Sequence, residues 1–186
     1  MILFSAMYGV ISFTFAYYGE MMTYLGMSAP MAVFSLVSWL RNPYEGKRSE
    51  VKVSALGAAE TVSIFVLSAV VTLVFYFILG ALGTANLLPS TLSVTTSFLA
   101  VCLTFRRSPY YAAAYAANDV VLVILWVTAS LSDASYVSVA VCFAVFLAND
   151  IYGFISWSRI KKRQEHGAQP SAKNGIGEFH RSRFLL

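Results

Sequence analysis

The chain is written as long apolar runs separated by short polar punctuation. About 20 apolar residues cross a bilayer as a helix. Runs of about that length recur at 1–18, 21–40, 60–82, 88–105, 109–130 and 136–157, and they predict six membrane spans. Most connections are only a few residues long. The exception is 41–59, RNPYEGKRSEVKVSALGAA, which has room for a short surface helix. Beyond 157 the pattern changes. Residues 160–186 are rich in Gly, Gln, Lys and Arg, the composition of a disordered tail, with apolar Phe184-Leu185-Leu186 as an end that can touch a partner surface.

Local signals mark the boundaries. Ser108-Pro109 reads as a cap followed by Pro at the first helical position of the fifth span, and Leu88-Pro89-Ser90 does the same for the fourth. Pro30 lies inside the second span, where it frees a backbone carbonyl and predicts a kink.

Composition agrees with an all-α membrane protein. The chain is 58% hydrophobic and only 12% charged over 186 residues, more apolar surface than a soluble domain of this size can hide. The net charge of +4 comes mainly from the stretch after Trp157, so it reports orientation and gives no sign of a nucleic-acid partner. Lys and Arg stand at Arg41, Lys47, Arg48 and Lys52, at Arg106-Arg107, and at Arg159, Lys161, Lys162 and Arg163. The alternate connections, near Gly19-Glu20, 83–89 and 131–135, contain none. All basic connections therefore share one side, which the positive-inside rule makes cytoplasmic, together with both termini. Cys102 and Cys142 lie in apolar runs and read as small core residues, and His166 and His180 belong to the tail. These placements indicate no disulfide, metal, cofactor or catalytic centre. No secretory leader precedes the first run.

A shift of 118 positions lays the end of the chain over its beginning without gaps. Ser12, Ala16, Tyr18, Ser38, Trp39 and Arg41 then meet Ser130, Ala134, Tyr136, Ser156, Trp157 and Arg159, while Tyr8 meets Trp126 and Phe34 meets Tyr152. Spans one and two match spans five and six in the same sense, so the repeats are parallel and span three is a lone crossing that restores direction. The organisation expected is 1–40 as an incomplete first repeat of two helices, 41–59 as a cytoplasmic loop, 60–82 as a linker helix, 88–157 as a second repeat of three helices, and 158–186 as a basic tail. The counterpart of span four would fall before Met1, so the chain reads as a three-plus-one-plus-three plan lacking its first helix. Asp119 maps onto Met1.

Asn118-Asp119 is the polar interruption at the middle of the fifth span. A carboxylate at bilayer depth costs about 2.5–3.5 kcal/mol on insertion scales, so it marks a pathway or a partner. Tyr111, Tyr115, Asn118, Asp119, Leu122 and Trp126 share one helical face, within an arc of about 100°. On the sixth span, Ser138, Cys142, Asn149, Tyr152, Gly153 and Ser156 form a second small or polar face, with Asp150 turned about 100° from Asn149 toward the basic end. Two such faces make a pocket for a small ligand with an aromatic head and a polyhydroxylated part: rings take planar or cationic groups, and amides and carboxylates take hydroxyls. The competing reading of Asn118-Asp119 is a structural helix–helix hydrogen bond. Trp39 and Trp157, at span ends, read as interfacial belt residues.

The stretches AYAANDVVLVILW (114–126) and FLANDIYGFISWSRIKK (146–162) resemble the PnuC-type vitamin transporters, over nearly all of 1–163 and none of the tail. The resemblance implies a SWEET-like three-plus-one-plus-three bundle that assembles as a homotrimer in the bacterial inner membrane. It implies uptake of nicotinamide riboside by facilitated diffusion, feeding NAD biosynthesis through a cytosolic kinase that traps the vitamin. It also implies a mid-membrane substrate site, here Tyr111, Tyr115, Asn118, Asp119, Trp126, Asn149 and Tyr152. Many members carry Trp-x-x-Trp ahead of the Asn/Asp position, where this chain has Tyr111 and Tyr115. That departure leaves thiamine, riboflavin and deoxynucleosides as alternative substrates. A non-transporting membrane fragment or scaffold is the reading from another class. An enzyme is not expected, since Asp119 and Asp150 lie on separate spans with no nucleophile or metal constellation beside them.

Overall fold

The computed structural model of the chain describes residues 2–15, 17–45, 47–84 and 86–181, with side chains for all of these except 47–49 and 167–181. Six helices follow one another: α1 (Ile2–Thr14), α2 (Tyr18–Leu40), α3 (Ala58–Ala81), α4 (Leu87–Phe105), α5 (Tyr111–Ser130) and α6 (Val137–Arg181). Five are long and apolar enough to span a membrane, whereas α1 has 13 residues and is shorter than a crossing requires. Of the span expected over 1–18, Ile2–Thr14 is helical. The Thr14 hydroxyl donates to the Ile11 carbonyl (2.7 Å) and the Tyr17 amide to that of Ser12 (2.8 Å), so side-chain and turn bonds compete with a further helical turn.

Pro30, where a kink is expected, is preceded by a change of helix type. The stretch Met22–Ser28 is wound as a π-helix, and tight α-geometry resumes at Ala29 with Pro30 in its first turn. The wider turn absorbs the missing amide where a regular helix would kink. The other two proline signals are shifted. α4 follows Asn86, itself left-handed at φ 54°, and α5 begins at Tyr111, two residues after Pro109. Ser108 still serves α5: its carbonyl accepts the Tyr111 amide at 3.2 Å. Gly83 (φ +64°) supplies the left-handed turn that ends α3. A single 3₁₀ turn (Ala134–Tyr136) opens α6. It is capped by Asp133, whose carboxyl is held below its ordinary range by the Ser135 amide and hydroxyl.

Among the described residues of the 41–59 loop there is no surface helix before α3 begins at Ala58. The loop holds a short antiparallel hairpin, β1 (Pro43–Tyr44) with β2 (Lys47–Val51), turned by Glu45 at φ 48°. Pro43 disfavours helix, and the alternation in Glu50-Val51-Lys52-Val53 suits extended chain. The hairpin is clamped to α6. Gln164 accepts the Val53 amide (3.0 Å) and donates to Glu50 (3.0 Å) and to the Val51 carbonyl (3.1 Å), and Arg163 donates to Glu50 at 2.6 Å. This clamp orders residues expected to belong to a disordered tail, and the helix continues through Arg181. Met1, the partner of Asp119 in the repeat, and the apolar end 184–186 lie outside the described residues.

The bundle has a polar seam and an aromatic core. The inward face of α4 carries Ser90, Ser93, Ser97 and Thr104, small polar residues that allow close helix approach and bond across it. Thr95 on α4 and Thr72 on α3 share a 2.6 Å hydroxyl bond, and Glu60 at the start of α3 pairs with Arg106 just beyond α4. Gly9 permits α1 to lie against the π-turn of α2, since a side chain there would overlap Leu25. At the end away from the basic loops, Tyr8, Tyr17, Tyr24, Leu122, Leu125, Trp126 and Phe143 fill the core.

Candidate functional site

Above that aromatic core, toward the basic end, the helices part around a cavity of about 360 Å³, within the size range of small-molecule sites. Five helices and four side-chain chemistries contribute. The acids are Asp119 from α5 and Asp150 from α6, and the amides are Asn118 and Asn149. The rings are Phe4, Tyr24, Trp39, Tyr111, Tyr115 and Phe146, and the hydroxyls are Ser5, Ser28, Ser97 and Thr104. None of these lining residues is Lys, Arg or His.

Each side chain has an identifiable support. Asn118 is 2% exposed and knits three helices together. Its Oδ1 accepts from Thr96 (2.8 Å) and Ser97 (2.9 Å), and its Nδ2 donates to the Tyr24 hydroxyl (3.3 Å). It is thus both a helix–helix lock and a cavity wall. Asp119 is 5% exposed, and its Oδ2 has no hydrogen-bond partner among the described residues. The Tyr115 hydroxyl lies beside the Thr104 side chain. Buried acceptors are nearly always satisfied, so the unmet Asp119 Oδ2 leaves bonding capacity for a guest in the cavity that this residue lines. Asn149 donates to Asp150 at 3.4 Å, which keeps that carboxylate at the cavity edge.

The basic-end mouth is a ring cluster. Trp39 packs on Trp157 (5.1 Å between centroids) and Tyr111 (5.8 Å), Tyr111 packs on Trp157 (5.1 Å), and Trp39 Nε1 donates to the Thr104 carbonyl at 2.9 Å. At the other end Trp126 Nε1 donates to the Tyr8 hydroxyl at 2.7 Å. Tyr8 with Trp126, and Trp39 with Trp157, are each 118 positions apart, and each pair touches.

Five of the seven sequence-predicted residues come together here: Tyr111, Tyr115, Asn118, Asp119 and Asn149. Two do not. Trp126 is fully buried in the aromatic core beneath the cavity, because the face it shares with Asp119 continues past the cavity floor. Tyr152 is 70% exposed on the outer side of α6. The helix is rotated from the expected orientation: its inward line is Phe143, Phe146, Asp150 and Gly153, the last close to Ala112. That rotation brings in Asp150, which the sequence reading had turned away. Trp39 also lines the cavity. The spacing Phe146, Asp150, Gly153, Trp157 was the signal available for this face.

The arrangement defines a multi-pass helical membrane protein with a buried, acidic, ring-lined chamber. The profile of the nicotinamide mononucleotide transporter family matches residues 1–159, and the chain belongs to that family. It is similar to the nicotinamide riboside transporter PnuC of Neisseria mucosa, 26% identical over 162 residues, covering 85% of this chain and 62% of that protein. It therefore spans somewhat under two thirds of that relative's length. It is also similar to a crystal structure of the vitamin B3 transporter PnuC, with a TM-score of 0.71 and 26% identity, covering 86% of this chain and 69% of that one.

Proposed function

We propose that the chain carries nicotinamide riboside across the bacterial inner membrane by facilitated diffusion. The observation that carries this reading is the pairing of Asp119 and Asp150 with Trp39, Tyr111 and Tyr115 around one cavity free of basic side chains. Nicotinamide riboside is a flat pyridinium cation bearing a ribose. Rings receive its planar head, acids attract its charge, and Asp119 and the amides accept or donate to its hydroxyls. The same inventory argues against a phosphorylated substrate, since a mononucleotide would bring an anion against two acids with no Lys or Arg to receive it. Neutral riboflavin and deoxynucleosides gain nothing from the acid pair. Thiamine, a cation with a hydroxyl, does, and is the competitor to include.

The repeat supports a carrier. Residues 118 apart meeting at both ends of the cavity, Tyr8 with Trp126 and Trp39 with Trp157, suit two parallel repeats around a pseudo-two-fold axis that runs through the chamber. Arg41, Arg106, Arg107, Arg159, Lys161 and Arg163 gather at one end, which supports a cytoplasmic C-terminus. Val62, Phe65, Val66, Leu73 and Phe77 of α3 are exposed, a surface suited to lipid or to neighbouring copies in a homotrimer. Counterflow in proteoliposomes tests the reading. Labelled nicotinamide riboside is expected to accumulate against unlabelled internal vitamin without ATP or an ion gradient, and the mononucleotide is expected not to compete. No exchange above empty liposomes contradicts it.

A further inference from the structure

Glu20 is a buried acid that the chamber does not use. It stands at the start of α2, at the end away from the basic loops, and is 1% exposed. Ser93 donates to its Oε1 at 2.8 Å, and its Oε2 has no partner among the described residues. The rings of Tyr8, Tyr17 and Tyr24 lie within its electrostatic reach. Ser12, on the neighbouring α1, is fully buried beside the Tyr8 hydroxyl. Helices α1, α2, α4 and α5 contain no Lys, Arg or His at all, so no base on these elements compensates the acid.

A permanently closed core gains nothing from an acid held with open bonding capacity. A segment that is closed in one conformation and wetted in another does. The geometry favours the second case. Glu20, Tyr24 and Ser28 lie on one line of α2, and Ser93 and Ser97 on one line of α4; Tyr24, Ser28 and Ser97 already line the chamber. Asn118 joins the two lines by bonding Tyr24 and Ser97. At this same end the rings pack around the Tyr8–Trp126 bond, with Tyr17 against Trp126 (4.6 Å) and Phe143 against Tyr8 (5.0 Å).

We infer that Glu20, Ser12, Tyr24 and Ser93 form an outer vestibule, opened when the Tyr8–Trp126 contact parts, in which Glu20 binds a cationic permeant before Asp119 receives it. The inference rests on the carrier reading but is tested apart from it. Ser12→Cys, in a chain with Cys102→Ala and Cys142→Ala, is exposed from the face opposite the basic loops to cationic and anionic methanethiosulfonates of similar size. The cationic reagent is expected to react at least about tenfold faster, relative to a free thiol. Glu20→Gln abolishes that preference, Glu20→Asp retains it, and Trp126→Phe speeds both reagents. No reaction in either background, or a preference unchanged by Glu20→Gln, overturns the vestibule.

The transport arm separates binding from passage. Glu20→Gln is expected to slow influx of nicotinamide riboside about tenfold while its affinity for purified protein stays within about twofold. The neutral dihydro riboside is expected to be slowed far less, and equal slowing of both would assign Glu20 a structural role and overturn the inference. If the wild-type chain exchanges no nicotinamide riboside yet labelling remains charge-selective, the substrate reading falls and the vestibule stands.

Discussion

Replacing Asp119 removes one carboxylate from the chamber wall, and the consequences can be worked through atom by atom. Asp119 lines the cavity, and its buried Oδ2 has no hydrogen-bond partner among the described residues. Asp119→Ala removes the contact between its carboxyl and that of Asp150 but none of the bonds by which Asn118 ties α5 to α2 and α4, and the bundle is expected to fold. A ligand hydroxyl bonded to a carboxylate is worth about 1.5–3 kcal/mol, or roughly tenfold to somewhat over a hundredfold in affinity. Asp119→Ala should weaken nicotinamide riboside binding by that factor. Asp119→Asn keeps an acceptor and loses the charge, so its deficit should be smaller and should be largest for the cation relative to the neutral dihydro form. Isothermal titration on purified protein reads both, and quenching of Trp39 and Trp157 gives an independent signal from the chamber mouth. Unchanged affinity in Asp119→Ala, with an unchanged melting temperature, would refute the reasoning that this acid bonds the ligand.

Other sites are expected to respond differently. Asn118→Ala strips partners from Thr96, Ser97 and Tyr24 at once, so it should lower thermal stability by about 1–3 kcal/mol as well as weaken binding, in a melt followed by circular dichroism. Tyr152→Ala, on the outward side of α6, should leave ligand affinity and melting temperature unchanged in the same assays. Gln164→Ala removes three bonds between α6 and the hairpin, and amide exchange should rise across 47–53 with little change in the spans.

The element order was legible because apolar run length reports spans directly, and five of the six runs became helices of spanning length. The polar line on α5 was legible for the same reason: Tyr111, Tyr115, Asn118 and Asp119 interrupt an apolar background at helical spacing. The rotation of α6 was not. In a membrane helix the faces toward lipid and toward protein are both apolar, so periodicity says little about which way the helix points. Cys142 and Tyr152 were assigned inward on polarity and are exposed, while Asp150, Phe146 and Trp157 face the bundle or the chamber mouth. Glu20 was read as a connection residue because it follows Gly19 at a run boundary. Its burial depends on Ser93, 73 positions away, which no local pattern shows. The hairpin and its clamp to Gln164 are equally non-local.

The most direct measurement is a structure of the purified chain with nicotinamide riboside bound in a lipid nanodisc. The account predicts the pyridinium ring among Trp39, Tyr111 and Tyr115, with a ribose hydroxyl within about 3.2 Å of Asp119 Oδ2. Density for the vitamin outside this chamber, or inside it with Asp119 turned away and bonded to a neighbouring helix, would contradict the account.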